Sequence, residues 1–120
     1  FNKNYGWPIS SYGEKYGLAE INKPHYLKNH DSSGFEEPIF AFVPSIGISE
    51  IISLPNSFSK HFENNFIVSS LAGKSLHRLK FDKNYNKVIF NEKIFIGSRI
   101  RDLKYHNKTN SIFLALEEKG

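Results

Sequence analysis

The chain has 120 residues, of which 39% are hydrophobic and 23% are charged, and its formal net charge is +4. This composition is that of a folded domain and argues against disorder, and no apolar run approaches the roughly 20 residues needed to span a bilayer. The absence of cysteine excludes disulfides, thiolate metal sites and a thiol nucleophile. The lysines are spread along the chain, which favours a solvated basic surface over nucleic-acid binding.

The N-terminus gives no sign of an intact gene product. Residues 1–4 contain neither a signal-type apolar stretch nor an initiator methionine, and the sequence has no methionine at all. We therefore expect the chain to be a processed or excised piece of a longer protein.

Residues 1–36 are rich in Gly, Asn, Ser, His and Tyr and show no apolar period, which predicts a long loop. The stretch NYGWPISSYGEKYG, residues 4–17, carries the only tryptophan and three tyrosines around one proline. So many aromatic side chains argue against disorder. They favour a loop that forms part of a binding site.

From residue 37 onward the sequence predicts short strands rich in β-branched and aromatic residues. Turn-forming stretches connect them, and only residues 55–62 are compatible with a helical turn. Such a pattern predicts an all-β antiparallel meander, which the spacing alone leaves open as a barrel, a sandwich or propeller blades. The predicted strands are residues 37–43, 46–54, 65–71, 75–81, 87–96, 100–106 and 111–117.

Arg99 and Arg101 are the most distinctive pair of charged residues. Positions i and i+2 of a strand face the same side, so two guanidiniums point to one place while Ile100 faces away. Two guanidiniums suit a ligand with planar carboxylates, because each can pair with a carboxylate in bidentate fashion. By pattern alone, a solvated strand face with a local acidic partner such as Asp102 is the favoured alternative.

Other chemical signals in the sequence are weak. His25 and His30 lie close together, with Asp31 beside them, but no third His or Cys is near in the sequence. Exposed loop histidines are therefore favoured over a metal site. Glu36-Glu37 is as compatible with a solvated acidic pair as with a catalytic one. Asn107-Lys108-Thr109 fits a glycosylation sequon, but a hairpin turn is the better interpretation.

Four motifs in their order carry a family resemblance: NYGWPISSYGEKYG, EPIFAFVPSIGISEI, NFIVSSLAGKSLHRL and GSRIRDLKYHNKTNSIFLALEEKG. Over nearly its whole length the chain resembles the C-terminal part of the soluble aldose sugar dehydrogenases, also called the glucose/sorbosone dehydrogenase family. Members of that family are six-bladed β-propellers that use pyrroloquinoline quinone (PQQ) and calcium. The resemblance implies about two propeller blades over residues 37–120, preceded by a cofactor and calcium loop region over residues 1–36.

The resemblance also implies a set of site residues. The calcium-binding position falls on Tyr5, and carbonyl oxygens suit that cation. Because PQQ is a planar tricarboxylate, the resemblance favours a cofactor clamp over a solvated pair for the two arginines. Family members usually have a lysine at the position that Ala72 occupies in this chain. The nearest lysine is Lys74, two residues further along. The positions that match cofactor contacts are Tyr16, Ser70, Leu71, Ala72, Arg99, Ile100 and Arg101.

As a function, the resemblance implies a segment of a PQQ-dependent sugar dehydrogenase, exported to the periplasm or secreted, that acts on an aldose and an electron acceptor. The family's histidine base and its Gly-Pro calcium loop lie upstream of the matched region. No catalytic residue is therefore assigned, and the chain alone is expected to be inactive. The alternative is a non-catalytic, propeller-derived binding module, which Ala72 supports. Two blades taken from a propeller ring would also leave an apolar sheet face open at each end. We therefore expect the chain to form a homo-oligomer.

Overall fold

The computed structural model describes residues 2–15 and 24–117. By its internal contacts the chain divides into two compact units, Phe1–Ser45 and Ile46–Gly120. The described part contains six β-strands and two short 3-10 turns, and none of its helices is long or apolar enough to cross a membrane. The prediction of an all-β protein is confirmed.

The first unit is a loop region held by local hydrogen bonds. A single parallel bridge joins Ser10 to Leu27, and a 3-10 turn spans Asp31–Ser33. The Gly6 carbonyl accepts hydrogen bonds from two amides further along the chain, those of Ile9 and Ser10. Gly6 itself has a φ of +84°, and an added Cβ would lie 2.6 Å from the Phe35 ring, so this position requires glycine.

Residues 37–43 form no strand, so that part of the prediction is wrong. The segment is rich in strand-forming residues, but Pro38 and Pro44 cannot donate to a ladder and confine a strand to an edge. At its start, the Glu37 carboxylate accepts hydrogen bonds from the backbone amides of His30 and Asp31. These contacts hold the segment in the loop unit.

The second unit contains all six strands. β1 to β4 form an antiparallel four-stranded sheet in the order β1-β2-β3-β4, and β5 and β6 form a separate antiparallel hairpin. Each of the six strand predictions after residue 45 is confirmed to within two residues at either end. The strand bounds are β1 Ile48–Ser53, β2 Asn65–Ser70, β3 Ser75–Phe81, β4 Val88–Phe95, β5 Arg99–His106 and β6 Ser111–Glu117.

The hairpin packs on one face of the four-stranded sheet. The hydrophobic core joins Ile67 and Leu76 of the sheet to Ile100 and Leu103 of β5. Ile100 has no exposed surface, which makes it the centre of this packing. Strand β5 begins at the same end of the sheet as the β2–β3 turn, because β2 ends there and β4 returns there.

Candidate functional site

Arg99 and Arg101 lie at the start of β5, on either side of the buried Ile100. Both guanidinium side chains are about half exposed, at 46% and 53%. The register of β5 against β6 shifts between Ile100 and Asp102, which leaves Arg101 as the extra residue of a β-bulge. Bulges re-aim side chains and are enriched beside active sites, so local backbone geometry helps to direct this pair.

The carboxylate of Glu117 joins the two arginines. Its Oε2 atom lies 3.3 Å from Nε of Arg99 and 2.6 Å from Nη2 of Arg101. Arg99 and Glu117 are direct cross-strand partners in the β5–β6 ladder. The two guanidiniums therefore converge on one carboxylate oxygen, which shows that both can reach the same anionic group.

A buried serine contact holds the bulged segment of β5. The Ser49 hydroxyl of β1 donates to the Ile100 carbonyl over 2.7 Å, and it lies 2.8 Å from the fully buried Ser69 hydroxyl. Ser49 itself sits where the β1 register shifts against β2. The register shift of β1 and that of β5 are therefore joined by the Ser49 hydroxyl. Its partner Ile100 is the residue between the two arginines in the sequence.

The predicted cofactor segment Ser70, Leu71 and Ala72 forms the start of the β2–β3 turn. Ser70 is fully buried, and its hydroxyl donates to the Ser75 carbonyl and accepts from the Ser75 amide, so it closes the turn. The Leu71 amide donates to the Gly47 carbonyl. Ala72 is exposed, so it is the member of the segment whose side chain faces solvent.

Lys74 connects this turn to the arginine strand. Its backbone φ is +48°, and its carbonyl accepts hydrogen bonds from the amides of Ile96 and Gly97, which immediately precede β5. The structure therefore brings the Ser70–Ser75 turn and the start of β5 to the same end of the unit. The Ile100 side chain is excluded from ligand contact by its burial in the core, so only its backbone remains for that role.

The calcium-binding role of Tyr5 rests on its backbone carbonyl and stays a prediction. Tyr5 is half exposed, and Tyr16 lies outside the described residues. Within residues 2–15 and 24–117, no group of three or more His, Cys, Asp or Glu side chains is placed to hold a metal.

The acidic pair of the first unit has a structural role. Glu36 pairs with Lys3 over 2.6 Å. The Glu37 carboxylate accepts from the Tyr12 hydroxyl at 2.8 Å and lies 3.5 Å from Nδ1 of the buried His30. The hydrogen bond from Tyr12 is the main reason that the pKa of Glu37 is lowered, and the same bond raises the pKa of Tyr12.

This carboxylate predicts an acid-sensitive loop unit. The folded-state pKa of Glu37 lies below its ordinary value of 4.5. Its stabilising effect is therefore complete above that value and is lost as the pH falls through the lowered pKa. We expect Glu37→Gln to remove this acid transition from the fluorescence of Trp7 or from the near-ultraviolet circular dichroism. Glu50→Gln serves as the control, and an unchanged transition in Glu37→Gln would contradict the assignment.

Substitution of Ser49 tests the hydrogen bond that holds the strand between the two arginines. Ser49→Ala leaves the Ile100 carbonyl and the Ser69 hydroxyl without this partner, which should lower the free energy of unfolding by about 1–3 kcal/mol. Ser53→Ala, at an exposed serine of the same strand, should change it by less than about 0.5 kcal/mol. Urea denaturation of both variants makes the comparison. Equal stability of the two would show that the Ser49 contact is not needed.

Glu117 and the bulge at Arg101 were not predicted as site features. The sequence held one signal for the first, because an acidic residue ends the strand that pairs with the arginine strand. For the bulge the signal was the spacing of Ile100 and Leu103, which both face the core but are three residues apart and so break the strand period of two.

Comparison with known proteins gives a consistent result. The sequence model of the Glucose / Sorbosone dehydrogenase family matches residues 2–120. A crystal structure of a glucose dehydrogenase is 27% identical and superimposes with a TM-score of 0.75 over 97% of this chain and 32% of that one. The soluble aldose sugar dehydrogenase of Escherichia coli, in its apo-form, is 21% identical with a TM-score of 0.75, over 98% of this chain and 33% of that one.

A curated relative, an uncharacterized protein of Synechocystis sp. (strain ATCC 27184 / PCC 6803 / Kazusa), is 24% identical over 102 residues, which cover 85% of this chain and 24% of that protein. The chain thus spans about a third of the solved structures and a quarter of this relative. The four-stranded sheet has the strand number of one propeller blade. Together with the structural matches it makes the chain a partial β-propeller, with the β5–β6 hairpin as part of a second blade.

Proposed function

The chain belongs to the glucose/sorbosone dehydrogenase family, and from this premise we propose that it forms part of the PQQ-binding cleft of an exported aldose dehydrogenase. The observation that carries the proposal is the convergence of Arg99 and Arg101 on the single Glu117 carboxylate. A planar tricarboxylate presents the same chemical group to the same guanidiniums. Charge-assisted pairs of this kind are the strong ones, and the guanidinium plane adds geometric specificity.

The residues of this chain would bind and orient the cofactor. The two guanidiniums would hold its carboxylates, and the half-exposed state of both side chains leaves them open to a ligand. The turn that begins at Ser70 would form a neighbouring wall, with Ala72 as its exposed side chain. When bound, PQQ would supply the two-electron oxidation of the sugar. Tyr5 would contribute one carbonyl ligand to a calcium site completed elsewhere.

The direct test is a titration of the chain with PQQ, followed by the absorbance of the quinone, for the unmodified chain and for Glu117→Gln. Glu117 competes for the guanidiniums and is a like charge to the ligand, so the variant should bind PQQ more tightly. We expect a gain of about twofold to fivefold, since a screened surface ion pair contributes up to about 1 kcal/mol. The proposal fails if neither protein binds the quinone at micromolar concentration.

Catalysis is proposed to need more than this chain. The family resemblance assigns the proton-accepting histidine to a segment upstream of the matched region, and a general base typically contributes about a hundredfold to ten-thousandfold. The chain supplied with PQQ and calcium should therefore reduce no redox dye in the presence of glucose. Sustained dye reduction would contradict this.

A non-catalytic binding module is the second candidate. Ala72 favours it, because family members usually carry a lysine there. The Ala72→Lys variant separates the two proposals in the same titration. A cofactor cleft should bind PQQ more tightly with the added cation, whereas a module that recognises another ligand should be indifferent to it.

We also propose that the isolated chain self-associates. Its second unit exposes large apolar side chains on both sheets: Ile48 and Ile51 of β1, Phe95 of β4, and Phe113 and Leu116 of β6. A unit that exposes this many large apolar side chains normally meets a partner. Light scattering on a gel-filtered sample at micromolar concentration should show a dimer or larger species. A stable monomer would mean that these side chains remain solvated.

A further inference from the structure

We propose that Trp7 and Tyr26 form a binding site for one ring of a neutral saccharide. The two rings lie with their centroids 5.5 Å apart and inclined at 44°. Trp7 is 70% exposed, although tryptophan is usually among the most buried side chains. An aromatic face left in water beside a second ring is the surface on which the C–H face of a pyranose can lie. The choice of ligand class rests on the proposed function, whereas the site itself rests on the geometry.

Both rings line a small cavity together with several polar groups. The cavity has a volume of about 210 Å³ and is lined by Trp7, Ser11, Gly13, Glu14, Tyr26 and Ser45. Drug-sized ligands occupy pockets of about 300–1,000 Å³, so this one has room for a single sugar ring. A lining that combines aromatic rings with a hydroxyl and a carboxylate matches the two surfaces of a sugar, which is apolar on its faces and polar at its rim.

Hydrogen bonds fix the polar wall in place. The Lys28 ammonium donates to the Gly13 carbonyl at 2.8 Å, to the Tyr12 carbonyl at 3.3 Å and to the Glu14 carboxylate at 3.2 Å. The Ser11 hydroxyl accepts from the Gly13 amide. A site whose walls are already ordered loses little conformational entropy when it binds.

The aromatic wall is held in the same way. The amide of Ser11 donates to the Leu27 carbonyl, and the amide of Leu27 donates to the Ile9 carbonyl, so the chain before Leu27 runs beside the chain after Trp7. The Lys15 ammonium lies 5.1 Å from the centre of the Tyr26 ring. These contacts keep the two aromatic residues together without burying the indole.

The charges at the cavity are paired, so it carries no strong net charge. Among the described residues that line it, Glu14 is the charged one; it is largely exposed and lies 3.2 Å from the Lys28 ammonium. A neutral cyclic saccharide can donate hydroxyl hydrogen bonds to that carboxylate. This separates the site from the arginine clamp, which attracts anions.

Trp7 is the only tryptophan in the chain, so its fluorescence reports on this site alone. The chain without quinone is titrated with D-glucose and with maltose, and with the open-chain polyol sorbitol as the control ligand. We expect the cyclic sugars to shift the Trp7 emission to shorter wavelength in a saturable way, and sorbitol to leave it unchanged. Saturation-transfer NMR should show the sugar C–H protons in contact with aromatic protons.

Variants complete the test. Tyr26→Ala and Ser11→Ala should each weaken saccharide binding at least fivefold, whereas Tyr85→Ala, at an exposed tyrosine of the other unit, should not. Circular dichroism confirms folding, and Ser11→Ala decides the matter if Tyr26→Ala does not fold. The proposal is overturned if no cyclic sugar produces a saturable change, if sorbitol acts equally, or if both site variants bind as the unmodified chain does. PQQ binding is measured separately, so either result can fail without the other.

Discussion

Replacing Arg99 or Arg101 by alanine is expected to weaken PQQ binding by about 10-fold to 100-fold, and replacing both should abolish it at micromolar concentration. The reason is the loss of a charge-assisted hydrogen bond in each case, which contributes about 1.5–3 kcal/mol. Both guanidiniums reach the same carboxylate oxygen of Glu117, so they should act together on a ligand carboxylate. Absorbance titration with PQQ measures each affinity.

Two matched variants control this experiment. Arg99→Lys keeps the charge but loses the planar pair of donors, so its affinity should fall between those of the unmodified chain and Arg99→Ala. Arg78→Lys changes the third arginine of the chain, which pairs with Glu92 on the four-stranded sheet, and should bind PQQ normally. If the Arg99 and Arg101 variants bind PQQ as tightly as Arg78→Lys does, the two residues are ordinary surface arginines. The proposal that they bind the cofactor is then wrong.

The second large effect is expected from Ile100, which lies between the two arginines and has no exposed surface. Ile100→Ala should lower the free energy of unfolding by about 2–5 kcal/mol, because it opens a cavity where β5 packs on the sheet. Ile100→Val removes one methylene group and should cost about 0.5–1.5 kcal/mol. Urea denaturation of the intact chain measures both.

The same pair of variants separates packing from ligand contact. Since the Ile100 side chain is in the core, Ile100→Val should leave the PQQ affinity unchanged while the stability falls. A loss below about 1 kcal/mol in Ile100→Ala would show that the hairpin does not pack on the sheet in solution. A loss of affinity in Ile100→Val at full stability would instead return this side chain to the ligand site.

The strands were predictable because their signal is local. β3 and β6 have the predicted bounds, since alternation, β-branched residues and polar turns all agree there. Residues 37–43 carry the same composition and are not a strand. Pro38 and Pro44 weighed against a strand there, and the contacts of Glu37 with Tyr12 and His30, which composition does not report, hold the backbone.

The register of the hairpin explains why the site was only half predictable. An uninterrupted ladder counted back from the β5–β6 turn would place Ile100 opposite Glu117. The bulge at Arg101 moves the pairing by one residue, so that Arg99 faces Glu117. The pair of arginines could be read from their spacing, but their acidic partner depends on that shift and on the Ser49 hydroxyl that contacts the Ile100 carbonyl. The contact of Ser49 joins residues 51 apart in sequence and is a tertiary feature that residue spacing does not report.

The most direct test of the arginine clamp is an NMR spectrum of the arginine Nε–H groups, recorded with and without PQQ. The chain has only three arginines, Arg78, Arg99 and Arg101, so each signal can be assigned with three single Arg→Lys variants. We predict that PQQ shifts the Arg99 and Arg101 signals together, with one saturation curve, and leaves Arg78 in place as an internal reference. Signals that all stay unshifted, or that all shift equally and without saturation, would contradict the clamp.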